Sequence, residues 1–129
     1  MLDIETSGFP KHGGEDEPVQ IVAFMYRLGQ ESKGEVYSRY FLPGGKITES
    51  ALETHGLDKE VLMLEGADLI TGADCLELKR FLDKERSFPI VAHNVKYDRD
   101  QVLKPLFKRL AAPEDLPEDD RWVCTQDLA

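Results

Sequence analysis

The sequence predicts an α/β domain: a mixed sheet with an antiparallel hairpin at one edge, flanked by helices. Three observations predict it. Three β-forming segments come first, at residues 1–5, 19–28 and 35–42. The apolar spacing then becomes helical, most clearly in ADCLELKRFLDKE and between Tyr97 and Leu110. Two short apolar runs, PIVA and RWVCT, fall between and after these helices and read as strands. An initial hairpin followed by strand–helix alternation gives a mixed sheet.

Composition bounds what such a domain does. The 129 residues amount to one modest domain. With 41% hydrophobic and 32% charged residues, wholesale disorder is excluded. No stretch approaches the roughly 20 apolar residues of a membrane span, and no basic-then-apolar leader opens the chain, so a cytoplasmic location without a membrane partner is expected. Lys and Arg number 16 against 25 Asp and Glu, a formal charge of −9. That charge excludes a long-range basic field and by itself argues against a nucleic-acid partner. Cys75 and Cys124 form no CxxC pair, which argues against a zinc site or disulfide framework and predicts two reduced, buried thiols.

In chain order, MLDIE reads as a strand and Thr6–Pro18 as a loop rich in Gly, Pro and charge. Val19–Leu28 reads as a buried strand, Gly29–Gly34 as a turn and Glu35–Leu42 as the returning strand of a hairpin. Thr48 is positioned to cap a short helix over Glu49–Thr54 that breaks at Gly56, and Asp58 to cap another turn through Leu62. A helix follows over Ala73–Glu85, with Leu76, Leu78, Phe81 and Leu82 inward, then a buried strand at Pro89–Ala92. Tyr97–Leu110 reads as a helix with Val102, Leu103, Leu106, Phe107 and Leu110 on one side, kinked or shortened by Pro105. Pro113–Asp120 is an acidic Pro-rich surface loop, and Arg121–Thr125 is a last strand.

Three short segments carry chemistry-bearing residues. In Asp3-Ile4-Glu5, strand periodicity puts both carboxylates on one face. Adjacent carboxylates repel unless a cation lies between them, and oxygen pairs of this type suit Mg²⁺ or Mn²⁺. The plainer reading is a solvent-facing pair. Thr6-Ser7-Gly8 follows as a turn where a ligand can approach the backbone. In PIVAHNVKYDRD, His93-Asn94 end a strand and Asp98 opens the next helix, the junction where α/β proteins place ligand groups. The plainer reading is a helix cap and a core histidine. Thr54-His55-Gly56-Leu57 lies between two short helices and reads locally as a C-cap.

The order of DIETSG, ALETHGLDKEVL and VAHNVKYDRDQVL resembles that of the DnaQ-like 3′–5′ exonucleases of the DEDD superfamily, over essentially the whole chain. DIETSG resembles their first motif, a DxE followed by T-x-G, and HNVKYD their second. THGL resembles an HG(I/L) segment, and CTQDLA the strand end before their third motif. The resemblance implies a ribonuclease H-like fold, with three antiparallel strands followed by two parallel to the first. It implies Asp3, Glu5 and Asp98 as catalytic metal ligands for two Mg²⁺ or Mn²⁺ ions. It also implies contact of Thr6, Gly8, His55 and Leu57 with a terminal nucleotide, and a supporting role for Asn94. The activity implied is hydrolysis of single-stranded DNA or RNA from 3′ ends. A DNA polymerase is the further partner it suggests.

The chain departs from the pattern at both ends. Only Met1 and Leu2 precede Asp3, and the sequence stops at Ala129, before the helix that would carry a fourth Asp and a catalytic His or Tyr. His12, His55 and His93 do not match that position, and Asp127 lies too close to the last strand. The expectation is one incomplete domain over 1–129 lacking its final helix, with impaired activity and an apolar face that favours dimerisation. A non-catalytic module binding nucleic-acid ends or a protein is the alternative.

Overall fold

Alternation of apolar residues sets the first strand. In the computed structural model, which describes residues 1–8, 17–25, 34–111 and 115–128, β1 (Leu2–Thr6) buries Leu2, Ile4 and Thr6. Asp3 is left exposed and Glu5 half-buried. β2 (Pro18–Phe24) repeats the pattern with Val19, Ile21 and Ala23 inward, so it is buried on one face rather than wholly. β3 (Val36–Leu42) runs antiparallel to β2, with Gln20 opposite Tyr40. The expected continuation of β2 over Tyr26–Leu28, most of the turn after it, and most of the first loop with His12 lie outside the described residues.

Local capping sets the helices. Thr48 Oγ1 accepts the Ala51 N–H at 3.1 Å to open α1 (Glu49–His55), and Gly56, at φ 69°, closes it. Asp58 Oδ1 accepts the Val61 N–H at 2.8 Å to open α2 (Lys59–Leu64), which runs past the expected Leu62. A capping box between Thr71 and Asp74 starts α3 (Gly72–Leu82). α3 turns Cys75 and Leu78 into the core and leaves Leu76, expected inward, exposed. It also stops short of Glu85. Arg121 explains this: its guanidinium donates to Asp83 Oδ1 at 2.7 Å and to the Leu82 carbonyl at 2.8 Å, taking up the helix end.

The predicted sheet forms only in part. β1, β2, β3 and a short β4 (Asp68–Leu69) make one mixed sheet in that order, with β4 parallel to β3. β4 has no counterpart in the sequence reading, because two residues show no period. β5 (Ile90–Ala92) and β6 (Trp122–Cys124) pair in parallel as a separate two-stranded sheet. β5 still lies beside β1, and Leu2, Ile4, Ile90 and Ala92 share one core. Among the described residues no ladder joins the two strands. β5 is three residues long and is entered through Pro89, which has no N–H to donate. An apolar cleft of about 810 Å³ lined by Met1, Phe24, Phe81, Phe88 and Val91 opens there.

Pro105 acts differently from a kink. Lys96–Leu103 winds as a π-helix, with the Lys104 N–H donating to the Arg99 carbonyl, and α4 (Lys104–Leu110) then begins with Pro105 in its first turn. The wider turn before it makes room for the ring. Val102, Leu103, Leu106 and Phe107 are buried as expected. The acidic segment is anchored rather than merely solvated. Leu116 and Pro117 are buried, Trp122 Nε1–H donates to the Pro117 carbonyl at 3.2 Å, and Asp119 lies 3.4 Å from Lys104 Nζ. Pro113 and Glu114 lie outside the described residues. Both cysteines are free thiols, but only Cys75 is buried; Cys124 is partly exposed.

The main core joins the inner faces of β1 and β2 to α3, β5, the π-helix and α4. A smaller cluster of Val19, Ile47, Leu62 and Ala67 lies under α1 and α2. Among the described residues no helix is long and apolar enough to cross a membrane. At the α3–α4 approach, a Cβ on Gly72 would stand 2.4 Å from the Leu110 carbonyl oxygen. Gly72→Ala, which helix propensity alone favours by about 1 kcal/mol, is therefore expected to destabilise by roughly 1–3 kcal/mol, read from urea unfolding.

Candidate functional site

Three carboxylates from two distant segments come within electrostatic reach of one another. Asp3 and Glu5 project from the outer face of β1, because Leu2, Ile4 and Thr6 occupy its inner face. The β1–β2 register slips between Glu5 and Thr6, where pairing skips Val19. Such a bulge re-aims the residues beside it. Asp98 comes from the first turn of the π-helix and is 6% exposed. Asn94 begins that helix: its carbonyl accepts the N–H groups of Tyr97 at 3.1 Å and Asp98 at 3.0 Å, and its Oδ1 accepts the Tyr97 N–H at 3.3 Å.

Burial and like charge act together on these acids. Asp98 is pushed up to about 7, first by burial and then by the negative charges of Asp3 and Glu5. Glu5 is also raised, by burial and by Asp3, with His55 acting in the opposite direction. The cation next in sequence does not relieve them. Arg99 Nε lies 2.8 Å from Asp100 Oδ1 and Arg99 Nη1 lies 3.8 Å from Asp119 Oδ1. Among the described residues no ion pair involves Asp3, Glu5 or Asp98.

Thr6 is a joint between segments. Its Oγ1 lies 2.6 Å from the Tyr97 hydroxyl and accepts the Gly8 N–H at 3.3 Å. His55 Nε2 lies 2.8 Å from the Thr6 carbonyl, and the Leu57 N–H donates to His55 Nδ1 at 2.9 Å. An Nδ1 that accepts leaves the ring proton on Nε2, which therefore donates to Thr6. His55 thus ties the end of α1 to the end of β1 and holds Leu57, which packs on the smaller core cluster. Gly8, at φ 98°, lies so close to Thr48 that a Cβ would stand 2.1 Å from Oγ1, and the Thr48 N–H donates to the Ser7 carbonyl at 2.8 Å. Of the residues singled out in the sequence as nucleotide contacts, Thr6 ends β1, Gly8 and His55 bond to Thr6, and Leu57 bonds to His55. His93 Nδ1 lies apart, 3.2 Å from Thr125 Oγ1.

Two contributors escaped the sequence reading as site residues: Tyr97, which was read only as a helix start, and Thr48, read only as a cap. Tyr97 does stand inside the HNVKYD string, but nothing local reveals a partner 91 positions away.

The donor set suits a hard divalent cation by its chemistry: oxygen ligands, excess negative charge and one desolvated member. Asp3, Glu5 and Asp98 would hold it. The oxygens are not already drawn around a point, for among the described residues no group of three His, Cys, Asp or Glu is arranged to hold an ion. Mutual repulsion opposes such convergence until a cation offsets it. No family model matches the chain, and no curated protein matches it.

The sign of the pH response follows from Asp98. Below about pH 4 it is protonated in folded and unfolded chains alike. Between there and its raised value of about 7, the folded chain keeps a proton that the unfolded chain has lost, so stability falls as pH rises. Asp98→Asn is expected to raise stability by about 1–3 kcal/mol at pH 8 in EDTA and to have little effect near pH 4, compared by urea unfolding at both values.

Proposed function

We propose that this chain is a metal-dependent nuclease domain of the DnaQ-like type, removing nucleotides from the 3′ ends of single-stranded DNA or RNA. One observation carries the reading. The carboxylates of DIETSG and HNVKYD lie close enough to act on each other across the fold and form no ion pair among the described residues. The strand arrangement supports it further: β3, β2 and β1 are antiparallel neighbours, β5 lies beside β1, and β6 is parallel to β5. That is compatible with a ribonuclease H-like sheet.

Asp3, Glu5 and Asp98 would hold Mg²⁺ or Mn²⁺. Divalent ions in such a site polarise a phosphodiester, activate water and stabilise the leaving oxygen. The net charge of −9 is then compatible with an anionic substrate, because part of it lies at the ligands and is offset by bound cations. Thr6, Gly8 and His55 meet at the end of β1, Leu57 is held by His55, and these four are the candidates for contact with a terminal nucleotide. Asn94 supports Asp98 through the helix start. His55 is not a free general base, since both its ring nitrogens are hydrogen-bonded.

A non-catalytic module that binds nucleic-acid ends or a protein is the second reading. One assay separates the two. With Mn²⁺, a 5′-labelled single-stranded oligonucleotide is expected to shorten stepwise from its 3′ end. Asp3→Ala and Asp98→Ala are each expected to slow this by on the order of 10²-fold or more. Retention of the oligonucleotide without shortening supports the binding module, and shortening that persists undiminished in EDTA overturns the metal-dependent mechanism.

A further inference from the structure

Tyr97 is not a carboxylate, yet it bonds the segment bearing one carboxylate to the segment bearing the other two. Its hydroxyl and Thr6 Oγ1 are 2.6 Å apart. Thr6 directly follows Glu5, and Tyr97 directly precedes Asp98. The bond therefore joins β1 to the π-helix one residue from a carboxylate on each side. No ladder among the described residues performs this task, since β1 bonds to β2 while the π-helix follows β5 in the other sheet.

The Thr6 end of the bond is fixed. Thr6 is 7% exposed, its carbonyl is held by His55 at 2.8 Å, and its hydroxyl is also reached by the Gly8 N–H at 3.3 Å. The Tyr97 end is fixed by Asn94, whose carbonyl and side chain both accept the Tyr97 N–H. Like charge on Asp3, Glu5 and ionised Asp98 opposes close approach of the two segments.

We infer that Tyr97 is a positioning residue: its hydroxyl, acting through Thr6, sets the separation of Asp98 from Glu5 and thereby the divalent-ion affinity of the three carboxylates. This rests on the metal-site reading above and extends it to a residue outside the three carboxylates.

The test compares Tyr97→Phe, Thr6→Val, Thr6→Ser and the Tyr97→Phe/Thr6→Val pair in the full chain. Mn²⁺ binding is followed by electron paramagnetic resonance, and backbone amide signals are recorded without metal. Tyr97→Phe and Thr6→Val are each expected to weaken Mn²⁺ binding about 10-fold. The double variant should lose no more than either single one, and Thr6→Ser should bind like the parent. Without metal, Tyr97→Phe should move the Glu5 amide signal and Thr6→Val that of Asp98. Parental Mn²⁺ affinity in Tyr97→Phe, or losses that add in the double variant, overturns the inference. If the parent binds no Mn²⁺, the metal-site reading falls, and the amide signals decide alone. Reciprocal movement then upholds the positioning of Asp98 against Glu5, and its absence overturns that too.

Discussion

A carboxylate held away from water beside two others is a source of repulsion, and the parts of the fold around Asp98 are arranged against it. Burial and the charges of Asp3 and Glu5 lift its pKa to about 7. No ion pair among the described residues relieves it, because Arg99 is turned toward Asp100 and Asp119. What holds the segments in place is neutral: the Thr6–Tyr97 hydrogen bond, the His55 bond to the Thr6 carbonyl, and the packing of Leu2, Ile4, Val102 and Leu103 in a common core. Neutral restraints oppose the repulsion without cancelling the charge.

The same strand supplies both the restraint and the charge. In β1 the two-residue period sends Leu2, Ile4 and Thr6 one way and Asp3 and Glu5 the other. A shift of one residue in register would exchange the two sets and put both carboxylates into the core. The stability of the sheet and the existence of the site are therefore set by one pattern.

How far the sequence disclosed this depended on distance along the chain. The Asp3–Glu5 pair was legible because strand alternation is local. The caps at Thr48 and Asp58 were legible because each acts on a residue three positions away. That Asp98 belongs with Asp3 and Glu5 was not visible in spacing; it came only from the order of three motifs. β4 was too short to show a period. The early end of α3 depended on Arg121, and the Thr6 joint on Tyr97, partners supplied from tens of residues away. Leu76 was misplaced because the inward stripe of α3 runs through Cys75 and Leu78, whereas a period drawn through the leucines takes in Leu76.

The π-helix ahead of Pro105 has a consequence for how freely that region can rearrange. A widened turn can in principle travel along a helix as successive N–H groups switch acceptors by one residue, rotating every side chain it passes. Pro105 has no N–H with which to make that switch. The defect is pinned on its C-terminal side and cannot migrate into α4.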